Sequence, residues 1–289
     1  MKKFILLVIM LLSLAAFAGN DNSGFISEGS HAAVSSETGT DAITITVLNT
    51  FSCGYAQQIL GLDFSSDSGV LVFVSSEDDI MYSCDPDNGD KISELALSYT
   101  AAPDQFGVCV DINANCYFND FDQNHMYWWD TSSWHLMTNP AGDDGRGMDF
   151  DGNRIWETFN WTTKQIMSFN TDGSGVQYYE IPELGSAQPS GLATFPCGSD
   201  LGIVVTSYNT YNFYFYSFDG STLTSLGFIA CPLTCTSSLG LAYSPGRDTF
   251  FWSHSNSSGD HSISELEIDI TGFALAQSTW GSIKAIDFN

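Results

Sequence analysis

The chain has very little positive charge. Eight Lys and Arg residues stand against 34 Asp and Glu among 289 positions, for a formal net charge of −26. Binding nucleic acid through counterion release needs Lys or Arg clustered on one face, and here they are scattered, with Lys2 and Lys3 at the extreme N-terminus. Nucleic acid and anionic membrane surfaces are therefore not expected partners. No apolar run after residue 18 is long enough to span a bilayer. Segments with a 3.6-residue apolar period are missing too, which argues against a helical layer. Gly-x-Ser-x-Gly elbows, phosphate-cradling glycine loops and His-Glu-x-x-His pairs are absent, so an enzymatic role has no motif behind it.

What is present begins with a leader. Lys2 and Lys3 precede an apolar run from Phe4 to Phe17 that ends on Ala16-Phe17-Ala18. A charged start, an apolar middle and a small-x-small end make residues 1–18 read as a signal peptide, which implies a secreted protein, extracellular or periplasmic. Residues 19–42 are small and polar and read as a flexible tether. Seven cysteines follow, an odd number that leaves at least one thiol unpaired within the chain. Cys231 and Cys235, in Cys-Pro-Leu-Thr-Cys, are close enough to form a disulfide across a loop. No second Cys or His pair stands at zinc spacing.

From residue 43 the chain repeats itself. Gly-apolar-small-apolar segments start at Gly61, Gly107, Gly147, Gly191 and Gly240, and the related Ala285-Ile286-Asp287-Phe288 ends the chain. Their starts are 46, 40, 44, 49 and 45 residues apart. A second apolar run follows each, as in Val70 to Val74. A third run then closes on an Asp, Asn and Gly turn, as in Met81 to Gly89, and a fourth leads back to the next glycine. Asp and Asn cap local backbone in tight turns, and Gly accepts the positive φ such turns need. One small sheet per repeat is the signature of a propeller blade. Residues 43–289 therefore read as an all-β propeller of five four-stranded blades closed by overlapping terminal strands. Six blades with one imperfect is the alternative. The unit Gly61-Leu62-Asp63-Phe64 followed by Ile80-Met81-Tyr82-x-x-Asp85-Pro86-x-x-Gly89-x-x-Ile92 resembles the blade of bacterial YVTN and NHL-like propellers. The resemblance implies an architecture and no single chemistry, since such propellers include binding domains, lactonase-like hydrolases and a streptogramin lyase.

In this strand order the fourth-to-first and second-to-third loops open on one face, the expected ligand face. It gathers Tyr55, Asp78, Asp79, Asp120, Asp122, Asp143, Asp144, Arg146, Trp161, Tyr208, Tyr211, His254 and His261. Carboxylates suit Ca²⁺ as a cofactor, although no continuous EF-hand-type loop supports it, and exposed rings suit sugars or peptides. Asp63, Asp149 and Asp287 occupy the third position of inner strands near the channel, where paired carboxylates serve acid–base chemistry. The second, fourth and fifth units lack this Asp. The expectation is a secreted binding module for a glycan, a peptide or a protein, and the alternative is a hydrolase or lyase using channel carboxylates or a bound metal.

Overall fold

The computed structural model describes residues 33–35, 43–75, 77–97, 105–120, 123–159 and 164–270. They form five antiparallel sheets, each running from an inner to an outer strand. Blade 1 comprises Leu62–Ser65, Val70–Ser75, Ile80–Cys84 and Lys91–Ala96. Blade 2 comprises Gln105–Val110, Cys116–Asp120, His125–Trp129 and Trp134–Thr138. Blade 3 comprises Gly145–Phe150, Ile155–Phe159, Gln165–Phe169 and Gln177–Glu180, followed by a 3-10 turn at Pro182–Leu184. Blade 4 comprises Pro189–Cys197, Asp200–Ser207, Asn212–Phe218 and Leu223–Ala230.

Blade 5 closes the ring. Its three inner strands, Ser237–Ser244, Thr249–Ser255 and His261–Asp269, come from the C-terminal part, and its fourth is Thr44–Phe51 from the N-terminal part. Thr44 pairs with Asp269 and Phe51 with Ile263. This is the expected overlap of terminal strands, and the five-blade reading holds over the six-blade one. Ala33–Ser35, inside the segment read as a tether, adds a fifth strand by pairing with Thr44 to Thr46. The segment 1–18 read as a leader, the rest of residues 19–42 and the segment from 271 to 289, including Asp287, lie outside the described residues.

The repeated glycine has a steric cause. Neighbouring inner strands touch in the cyclic order of blades 1, 2, 3, 4, 5 and back to 1. At each seam a glycine faces the backbone of the next strand. A Cβ on Gly61 would lie 2.7 Å from the Val108 nitrogen, and one on Gly240 2.6 Å from the Leu62 nitrogen. Only a residue without a side chain lets the strands pack this closely. In blades 2 to 5 a bulge accompanies this position.

A polar side chain from the second strand then staples four of the five seams. Asn119 accepts from the Gly107 amide at 2.6 Å and donates to the Arg146 carbonyl at 2.6 Å. The Thr158 hydroxyl accepts from Gly147 N and donates to Ser190 O, and that of Thr206 accepts from Gly191 N and donates to Leu239 O. Ser253 does the same between Gly240 N and Leu60 O, across the closing seam. Blade 1 carries Val74 at this position, and its seam to blade 2 is joined instead by Asp63, which accepts from Val110 N at 2.6 Å. Five apolar clusters fill the spaces between consecutive blades, such as Trp156, Ile166, Leu192, Val205 and Tyr214 between blades 3 and 4. Burying them is the main stabilising term.

Candidate functional site

The first-to-second-strand turns surround one mouth of the channel, where a cavity of about 330 Å³ opens. Its floor carries Asp63 and Asp149, and Phe64, Phe150, Phe195 and Tyr243 contribute to its walls. Both aspartates are the inner-strand carboxylates singled out in the sequence, and each is also a seam fastener. Asp63 accepts from the Phe64 and Val110 amides. Asp149 reaches into blade 4, where the Thr194 hydroxyl donates to it at 2.6 Å and the Thr194 amide at 2.5 Å. Both carboxyl groups line this one cavity.

Burial, followed by the charge of Asp149, pushes Asp63 well above the usual carboxylate range. Burial raises Asp149 to about 6, against the opposing hydrogen bonds from Thr194 and Phe150. Both carboxyls therefore keep their protons to higher pH than a free aspartate does. Cys109, at the matching position of blade 2, is held as a neutral thiol first by its burial and then by these two carboxylates. Asp111 and Asp151 near this mouth cap their own turns, Asp111 through the Asn113 and Asn115 amides and Asp151 through those of Asn153 and Arg154.

The residues of the expected loop face are distributed differently. Tyr55 is packed edge-on against Tyr82 and donates to the Gly89 carbonyl. Asp78 accepts from the Gln57 amide, the Gln57 side chain and Ser75; burial opposes its ionisation, but these bonds hold its carboxyl below the usual range. Asp79 beside it is raised, by burial and then by the charge of Asp78. Tyr211 donates to the Thr236 carbonyl, and Tyr208 is half-buried. His254 is buried against Trp252 and bonded to Ser264, and His261 is half-buried on the neighbouring strand. Asp143 is exposed. Asp122 and Trp161 lie outside the described residues.

Among the described residues, one group of these meets between blades 2 and 3. Arg146, 2% exposed, is bridged to Asp144 at 2.5 Å and lies over the Phe106 ring, and buried Asp120 ends the second strand of blade 2. Glu157, missed in the sequence, belongs to the same sector. It accepts from Asn119 at 2.7 Å and from Asn139 at 3.1 Å, while its second oxygen has no partner among the described residues. Burial raises it to about 7 despite Asn119, Asn139 and Arg146. The side chain of Gln105, also buried, has no hydrogen-bond partner among the described residues. A signal for Glu157 did exist: opposite the inner-strand apolar residue the blades carry Phe73, Phe118, Glu157, Val205 and Trp252. One carboxylate interrupts an apolar column.

Among the described residues, no group of three or more His, Cys, Asp or Glu is placed to hold a metal ion, and no helix is long and apolar enough to cross a membrane.

No protein-family model matches the chain, and no curated protein matches it in sequence. Solved structures do match it in fold. Glutaminyl cyclase from Myxococcus xanthus aligns with a TM-score of 0.58 at 12% identity, over 79% of this chain and 97% of that one. The PQQ-bound aldose sugar dehydrogenase of Streptomyces coelicolor aligns at 0.56 and 15% identity, over 78% and 98%. A nidogen/laminin complex aligns at 0.52 and 12% identity, over 76% and 88%. At these identities the likeness extends to the fold alone, and the neighbours include both enzymes and a protein held in a complex.

Proposed function

We propose that this propeller is a binding module that takes a glycan in the cavity floored by Asp63 and Asp149. The observation that carries this reading is a pair of buried carboxyl groups beneath aromatic walls. Sugars present apolar ring faces to aromatic side chains and hydroxyl donors to carboxylates, and a cavity of about 330 Å³ falls in the size range of small-ligand pockets. Reading residues 1–18 as a leader puts this binding outside the cytoplasm.

A second reading rests on the two raised carboxyls. A carboxyl pair with one member protonated and one ionised can serve as acid and base, which would make the same cavity the site of a hydrolase or lyase. Screening the purified protein against an array of glycans, with calorimetry on the hits, separates these readings. Under the binding reading, Asp149→Asn weakens affinity about 10-fold or more, the cost of losing one charged hydrogen bond, and no glycan is cleaved. Turnover lost in the same variant would select the enzyme. Asp143→Asn, at the opposite mouth, leaves affinity unchanged; a loss there would move the ligand to the fourth-to-first loop face.

A further inference from the structure

Seven cysteines leave a pairing problem that the positions of their thiols resolve. Cys231 and Cys235 lie with their sulfurs 3.6 Å apart in the loop leading into blade 5. Cys53 and Cys84 make a second meeting. Cys53 follows the ring-closing strand Thr44–Phe51 by two residues, and Cys84 ends the third strand of blade 1. They are 31 positions apart in the chain, yet both are buried in one apolar cluster, near enough for each thiol to shift the other's ionisation. The turn that follows Cys84 packs on the segment carrying Cys53: a Cβ on Gly89 would lie 3.3 Å from the Cys53 sulfur, and the Asn49 side-chain amide donates to the Asp87 carbonyl at 2.9 Å. The remaining three are separated. Cys109 and Cys116 sit on adjacent strands but one register step out of line, so their side chains leave opposite faces of the sheet, and Cys197 is buried between blades 4 and 5.

We propose that Cys53 and Cys84 form a disulfide that latches the closing strand, alongside Cys231–Cys235, with Cys109, Cys116 and Cys197 remaining thiols. The bond forms by thiol–disulfide exchange with a disulfide-carrying oxidant. The thiolate of one cysteine attacks the oxidant's disulfide and expels one of its sulfurs as a thiolate; the thiolate of the second then attacks the first cysteine's sulfur in the mixed disulfide and expels the other. The two cysteines lose two electrons and two protons, and the oxidant's two sulfurs leave as thiols. The physical consequence concerns the ring. Blade 5 accepts its outer strand through backbone hydrogen bonds, so the ring opens if Thr44–Phe51 peels away. A covalent bond at Cys53 stops that fraying two residues beyond the strand and narrows the unfolded ensemble by closing a 31-residue loop.

The test uses the full chain folded in the presence of a glutathione redox buffer, with free thiols alkylated in denaturant and the protein digested without reduction. The expected result is one cross-linked peptide pair carrying Cys53 and Cys84, a second bond within the Cys231–Cys235 peptide, and alkylated Cys109, Cys116 and Cys197. Alkylation of Cys53 or Cys84, or either joined to a different cysteine, overturns the proposal. Mild reduction of the same sample should lower the midpoint of thermal unfolding by roughly 5 °C or more, and reductant should lower that of a Cys53→Ser, Cys84→Ser variant, which keeps only the short Cys231–Cys235 loop, by much less.

Discussion

Asp149 of blade 3 holds the backbone amide and the hydroxyl of Thr194 in blade 4, while its charge raises the carboxyl of Asp63, from blade 1, in the same cavity. One side chain thus joins two blades and shapes the floor of the cavity. Two demands on it conflict. A fastener works best as a full carboxylate, whereas two carboxyls sharing a buried site cannot both ionise cheaply.

That conflict makes stability depend on pH. Asp63, Asp149 and Glu157 all release their protons at higher pH in the fold than in the unfolded chain. The folded state therefore holds more protons between pH near 4 and about 6 for Asp149 or about 7 for Glu157, and their contribution to stability is lost as pH rises through that window. Buried His254 works in the opposite sense. Burial and then His261 lower it to about 4, so its contribution is lost as pH falls below 6.5. The variant isolates the carboxyl part: the difference in unfolding midpoint between pH 5 and pH 7.5 should shift toward lower stability at pH 5 in Asp149→Asn relative to the parent. An unchanged difference would mean that Asp149 is not raised.

The seam glycines should tolerate no side chain. In Gly240→Ala the new methyl meets the Leu62 backbone, and overpacking of this kind costs about 1–3 kcal/mol or more, read from urea unfolding. Gly246→Ala, whose Cβ would meet nothing within 4 Å, should change stability by about 0.5 kcal/mol or less.

Removing a staple should leave its partners stranded. Thr206→Val keeps the shape but removes the hydroxyl that serves Gly191 N and Leu239 O, at an expected cost of about 1–3 kcal/mol in the same assay. Val74, already apolar at the equivalent place, should accept Ile with a smaller effect.

The architecture was legible because its causes are local and repeated. Strand alternation, Asp and Asn turns and the seam glycine recur in every unit, so each copy reinforces the others. The closing strand was legible by elimination, since Ile43 to Phe51 supplies the strand that the last blade lacks. Asp63 and Asp149 could be placed near the channel from their strand position, but their convergence on one cavity depends on ring curvature, which no single repeat encodes. Glu157 was hidden for a different reason: its role appears only when the second strands are aligned to the residue, and its partners Asn119 and Asn139 come from the preceding blade and the connection after it. Cys53 and Cys84 were hidden because only ring closure brings them together.

The cavity between the first-to-second-strand turns is the proposed place of ligand binding. The most direct measurement is calorimetric titration of the best glycan from an array into the parent, Asp149→Asn and Asp143→Asn. The expected result is a loss of about 10-fold or more in affinity for Asp149→Asn alone. Unchanged binding in Asp149→Asn with a loss in Asp143→Asn would contradict it.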